Sequence, residues 1–408
     1  MNSAKNKSVT RSFSIFLILF FFWSLLIGSF FAQLIIHRNL DDGSANRYFS
    51  ITMSVTFENR NKDGDIWYFT RDEKEIGLFM NNSWQTVYLI NVSYPISSFE
   101  TDYDGNPVAY LEFPKSRLMQ GENFSYQVKY HVTLKSRNIP QISTSLSGSL
   151  NDIPEELKAK YCSPLGPWQS NSSLICQYAF EIMGNETNVL SVVSNFIVWI
   201  VQNIKYESLD VPRYPFETLL EKKGDCDDQA NLLIGLCRAV GIPAYLQIGC
   251  IYKRGVESTS NFWDGLWTST LTNIGWHGWA VVYVPPWGWL PVDLTYSAGN
   301  SSDPLNHITS SAIMAFPTVQ YVNITASDYV FESRLQKTMV ISEVHRIITH
   351  DIMVEEFPEK VTFQNSVNAP QFTFIFIGTF VAVLVCLVIF SFSKRLRCEF
   401  ICLKSECL

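Results

Sequence analysis

The stretch Lys223-Gly-Asp-Cys-Asp-Asp-Gln-Ala230 sets one cysteine where a loop becomes a helix. Asp225 has the short oxygen-bearing side chain of an N-cap, and Asp227 and Asp228 are first-turn acids that the helix dipole favours. Ala230, Leu233, Cys237 and Val240 recur at helical spacing, and Gly241 and Pro243 end the run. Cys226 therefore meets the positive end of the dipole and backbone N–H groups that have no helical partner. That position favours thiolate over thiol, while the two aspartates oppose it. Activating Cys226 as a nucleophile thus needs a base as well.

Downstream, Gly275-Trp-His-Gly-Trp-Ala-Val-Val-Tyr-Val284 reads as a strand by its β-branched and aromatic content, with His277 near its start. A second apolar run, Trp289-Leu-Pro-Val-Asp-Leu-Thr295, carries Asp293 at its end. Paired through the Pro285-Pro-Trp-Gly turn, the two strands set His277 beside Asp293. Cysteine, histidine and aspartate in this order make a thiol triad, in which the carboxylate orients the imidazole and the imidazole activates sulfur. Each residue alone has a blander reading: an inert buried thiol, a core histidine, a turn aspartate.

Five segments in order point further: Asn203-Ile-Lys-Tyr206, Gly224-Asp-Cys226, Gly241-Ile-Pro-Ala244, His277-Gly-Trp279 and Trp289-Leu-Pro-Val-Asp-Leu-Thr295. In these residues the chain resembles the transglutaminase-like superfamily of papain-like cysteine enzymes, in its membrane-attached, exported prokaryotic branch. Gly278 and Leu294 depart from the alanine and proline usual there, and neither is a triad position. The resemblance spans roughly 178–295. It implies an α+β papain-like core, a Cys226, His277, Asp293 triad and a thioester intermediate, and it needs no cofactor. It covers both hydrolysis of amide or peptide bonds by water and transfer to an amine. A metal held by Cys226, His277 and a carboxylate has the ligands without the usual local spacing. The rival from another class is a surface scaffold that binds neighbouring envelope proteins.

Outward from that core, 408 residues with 47% apolar content allow two or three packed domains. Phe13 to Ile36 and Phe372 to Phe392 are apolar runs long enough to span a bilayer. Bulky Phe30 sits three positions before a cut after Ala32, which favours an anchor over a cleaved signal. Lys5, Lys7 and Arg11 precede the first run and Lys394, Arg395 and Arg397 follow the second, so both termini are expected in the cytoplasm and the bulk of the chain outside. The formal net charge of −7 argues against nucleic acid as a partner; a protein or peptide substrate at the envelope is expected instead.

The exterior segment holds sequons at Asn81, Asn91, Asn123, Asn171, Asn185, Asn300 and Asn323. It also holds five cysteines, an odd number, which leaves one free in an oxidising compartment, and the triad makes that one Cys226. Cys162 with Cys176 is the first candidate bridge; Cys237 and Cys250 form a second or remain buried thiols.

The expected organisation is a cytoplasmic 1–12, a transmembrane helix 13–36, an all-β sandwich 45–140, a transglutaminase-like domain 150–330, a C-terminal β segment 331–368, a transmembrane helix 372–392 and a cytoplasmic tail 393–408. The sandwich rests on alternating segments such as Ser50 to Phe57, Trp84 to Ile90 and Tyr126 to Thr133. Helices are expected near Asn151 to Lys160 and Val189 to Asn203. Residues 251 to 275 read as a Trp- and Thr-rich insertion, and Thr338 to Val344 as a strand.

Overall fold

A computed structural model describes residues 46–138, 140–298 and 301–356, which fall in one compact unit. Both apolar runs and Asn300 lie outside the described residues. Among the described residues no helix is long and apolar enough to cross a membrane.

The fold is mixed α+β, built on one eight-stranded sheet. Its strands are β1 (Arg47–Asn59), β2 (Gln85–Val92), β3 (Asn123–Leu134), β4 (Ala244–Phe262), β5 (Trp267–Val284), β6 (Gly288–Val292), β7 (Thr318–Ile324) and β8 (His345–Glu356). Their order is β7-β4-β5-β8-β1-β3-β2, with β6 paired to β5. The helices that concern the site are α1 (Glu155–Tyr161), α2 (Ser173–Met183), α3 (Val189–Asn203), α4 (Pro215–Glu221), α5 (Cys226–Ala239) and α6 (Tyr329–Ser342).

Strand β1 shows why the sequence pattern is obeyed: Phe49, Ile51, Met53, Val55 and Phe57 alternate inward and are almost wholly buried. Opposite this face lies a three-stranded sheet of Glu75–Gly77, Pro107–Leu111 and Ile96–Thr101. The two are joined by side chains such as Tyr130, whose hydroxyl donates to the Gly77 carbonyl at 2.8 Å.

Residues 46–134 are strands and turns apart from one short 3-10 helix at Asp72–Lys74, and they do not stand apart from the core. The reason is β8, which pairs antiparallel with β1 along its whole length and parallel with β5 over Trp267–Thr272. The boundary near residue 140 divides the chain and leaves the sheet continuous.

Two further expectations are corrected. Thr338 to Val344 is no strand: it lies largely in α6, because Asp328 caps Phe331 N–H and Tyr329, Val330, Ser333 and Val340 are buried at helical spacing. Residues 251 to 275 are no loop insertion either; β4 and β5 continue as a long hairpin across Trp263–Gly265. Trp263 and Trp267 are buried, with Trp263 Nε1 donating to the Asp210 carbonyl at 2.9 Å, so these indoles serve packing.

Helix α5 is the buried axis of the α layer, with almost every residue from Asp227 to Arg238 out of water. It packs on β4 and β5 on one side and on α2, α3 and α4 on the other. Arg238 in its last turn ties the helix to β4: Nε donates to the Ala244 carbonyl at 2.7 Å while the guanidinium stacks 3.9 Å from the Trp168 ring.

Where β8 joins the two halves, Asp351 is buried and accepts Trp276 Nε1–H at 2.8 Å. Burial pushes its carboxyl up to about 7, and the indole hydrogen bond only partly offsets this. The folded state thus binds a proton more tightly than the unfolded chain, so this group makes stability fall as pH rises from about 4 to about 7. Asp351→Asn keeps an acceptor for Trp276 and removes that dependence. Its melting temperature is expected to exceed the wild type's near pH 8 and to approach it near pH 5, as read by thermal unfolding at both values.

Candidate active site

The site forms at a break in the sheet. On the edge of β5 away from β4, β8 covers Trp267–Thr272 and β6 covers Ala280–Val284. Between them, residues 273–279 pair with no strand on that edge among the described residues. The start of α5 lies against this gap: a Cβ added to Gly278 would sit 3.1 Å from Asp227 Cβ, and the Gly278 N–H reaches the Cys226 sulfur. A glycine here lets the helix N-terminus abut the strand that carries His277.

Cys226 is the first residue of α5, as its cap predicts, with Asp225 and Asp228 forming a capping box. It is half-buried. Burial raises its thiol, Asp225 and Asp227 add to the rise, and the Gly278 N–H opposes it. The neighbouring carboxyls are themselves pushed well above the usual range, each chiefly by burial and then by one another. Three buried acids in one turn do not all ionise together, which weakens their opposition to a thiolate.

Asp227 is further held by the Tyr329 hydroxyl, which donates at 3.0 Å, and Tyr329 in turn accepts from Asn231. Asp228 accepts the Arg213 N–H at 2.7 Å. The Asp225 and Asp227 carboxyls and the Cys226 sulfur lie within 4.8 Å of one another.

His277 Nε2 lies 3.0 Å from Asp293 Oδ1, and both side chains are almost fully buried. The register explains the approach. Ala280 pairs with Val292, so Asp293 falls opposite Trp279 and shares a sheet face with His277 two residues back. Oδ1 of Asp293 also accepts the N–H of Thr295 and Tyr296, and Oδ2 that of Ser297, at 3.1 to 3.2 Å. Burial would raise this carboxyl, but the His277 charge and hydrogen bond and the two backbone donors outweigh it and hold it well below the usual range. Asp293 thus lies on the Nε2 side of the imidazole, and Nδ1 is the ring nitrogen that does not face it.

Around the three predicted residues are several that the sequence reading assigned no role. His307 is buried with Nδ1 3.1 Å from the Asp293 carbonyl, and its own carbonyl accepts the Asp293 N–H at 2.9 Å. Tyr206 sits beside the nucleophile loop because its strand pairs with Lys223–Gly224; its place in the Asn203 to Tyr206 segment was the available signal. Tyr296 follows Asp293 by three residues, and Lys253 comes from β4; nothing in the local sequence marks either.

The cysteine pairing expected outside the membrane is not seen. Cys162, Cys176, Cys237 and Cys250 are all free thiols. The Cys176 thiol donates to the Ser170 carbonyl at 3.2 Å, and Cys237 and Cys250 are wholly buried, the first on α5 and the second in β4. Of the sequons, Asn81, Asn91, Asn123, Asn171 and Asn185 are exposed. Asn323 is half-buried in β7, with Oδ1 accepting Gln247 Nε2 at 2.7 Å.

The model of the transglutaminase-like superfamily matches residues 176–294, which include Cys226, His277 and Asp293. An uncharacterized protein of Haemophilus influenzae is 28% identical over 155 residues, 35% of this chain and 40% of that protein, so the match spans two fifths of the relative's length. Among solved structures, a candidate cysteine protease from Cytophaga hutchinsonii is 19% identical, with 80% of this chain and 96% of that one covered and a TM-score of 0.47. The periplasmic domain of TgpA from Pseudomonas aeruginosa is 15% identical, with 62% and 88% covered and a TM-score of 0.29. Over residues 176–294, the stretch that carries Cys226, His277 and Asp293, this chain is similar to the transglutaminase-like superfamily.

Proposed function

We propose that Cys226, His277 and Asp293 act as a thiol triad on carboxamide or peptide carbonyls. The observation that carries the reading is the convergence of three elements: the start of α5, the stretch of β5 whose outer edge is uncovered and the turn after β6, with Asp293 ionised 3.0 Å from His277.

His277 takes the thiol proton, and the thiolate attacks the carbonyl carbon. A C–S bond forms as the carbonyl π pair moves to oxygen, where first-turn N–H groups of α5 receive the charge. When the carbonyl re-forms, the C–N bond breaks and the imidazolium proton goes to the departing nitrogen, leaving a thioester. Water or an amine then attacks, His277 accepts its proton, and sulfur leaves as thiolate.

Incubating the full chain with peptide libraries, with and without a labelled amine, distinguishes the two outcomes. Cleaved peptides indicate hydrolysis and labelled peptides indicate transfer; neither product, from protein whose Cys226 is intact, overturns the proposal. The same reading puts this unit outside the cell, tethered by the apolar runs at 13–36 and 372–392. Protease digestion of intact cells that spares residues 46–356 would contradict that placement.

A further inference from the structure

Strand β4 breaks register with β5 beside the site. Tyr252 pairs with Ile274 and Glu257 with Thr272, so residues 253–256 stand against Asn273 alone. The excess is absorbed by left-handed turns at Gly255 (φ 76°) and Asn273 (φ 56°), tied by the Gly255 N–H donating to Asn273 Oδ1 at 2.7 Å. This bulge turns Lys253 back across β5.

The lysine chain crosses at Gly275, where an added Cβ would lie 2.7 Å from Lys253 Cε and 2.8 Å from Nζ. Gly275 and His277 alternate onto one face, so the ammonium runs along the side of the strand that bears the imidazole. It ends 4.7 Å from the centre of the Tyr296 ring, which is itself 5.6 Å from the His277 ring. Tyr296 is also the residue whose N–H binds Asp293.

We infer that Lys253 is a positioning residue of this site, its ammonium lying on the imidazole side of β5 and supplying a positive field that favours the Cys226 thiolate once His277 has taken its proton. The inference rests on the triad reading above and adds to it a cation from an element outside the triad. Burial lowers the Lys253 pKa, while the charges of Cys226 and Asp293 raise it. The groups that face Cys226 are Asp225 and Asp227 on α5, Tyr206 on its short strand, Asp293 after β6, Lys253 on β4 and His277 on β5. Against the two neighbouring acids, the lysine and the imidazole provide the cationic side of the site.

The test is the pH profile of Cys226 alkylation by iodoacetamide in the full chain, mapped by mass spectrometry. Lys253→Met is expected to move the apparent pKa of Cys226 up by about one unit, roughly a tenfold slower reaction on the acid limb. Lys253→Arg is expected to restore the wild-type limb, because the charge and not the chain length is what acts. Lys253→Gln serves as the neutral variant if the methionine protein does not fold. A profile unchanged in the neutral variant, or one shifted equally by arginine, overturns the inference and leaves the triad standing. Wild-type Cys226 reacting no faster than in the unfolded chain instead removes the triad reading, and this inference with it.

Discussion

Cys226→Ala is expected to lower turnover of any amide substrate by about 10⁴-fold or more, the scale seen when a nucleophile is removed from a triad. No other group on α5 can replace it: the adjacent Asp225 and Asp227 carboxyls are buried, pushed toward the neutral form and committed to the helix start and to Tyr329. Thermal stability should change by less than about 1 kcal/mol, since the side chain is small and half-buried and carries no capping duty. Activity within tenfold of wild type, with folding intact, would show that chemistry at this site does not pass through sulfur.

Asp293→Asn has the second largest expected effect and changes two observables. The imidazole loses the anion that holds its Nε2, so turnover and Cys226 alkylation near neutral pH should fall by roughly 10² to 10⁴-fold. Stability should fall as well, because three backbone N–H groups converge on the carboxylate and an amide NH₂ cannot accept. One unsatisfied buried donor costs about 1 to 3 kcal/mol.

The pH dependence carries the sign. A carboxyl whose folded pKa is depressed contributes stability that is present above its unfolded value, about 4, and lost as the pH falls below it. The stability gap between wild type and Asp293→Asn should therefore narrow on acidification. A gap that widens toward acid would mean Asp293 is not the ionised partner of His277.

The sequence by itself determined the local parts of this protein. Cys226 at the first position of a helix follows from Asp225, Asp228 and the apolar spacing behind them, all within one continuous segment. The closeness of His277 and Asp293 follows from a single hairpin, whose short turn leaves little freedom of register. Val189–Asn203, expected as a helix, is one: its buried apolar residues fall within one continuous segment, and Asn188 caps it.

Tertiary structure decided the rest, because it depends on contacts between residues far apart in the chain. Thr338 to Val344 alternates well enough for a strand, and only burial of the α6 face, with Asp328 capping it, selects helix. Odd cysteine count pointed to bridges, yet pairing is set by where Sγ atoms point, and these four thiols are held by different elements. The merging of the β-rich stretch with the core rests on β8 returning to lie between β5 and β1, a pairing across some 290 residues that no local pattern announces. Lys253 belongs to the site for the same reason: a bulge and a glycine on the neighbouring strand aim it, and neither means anything until the strands are paired.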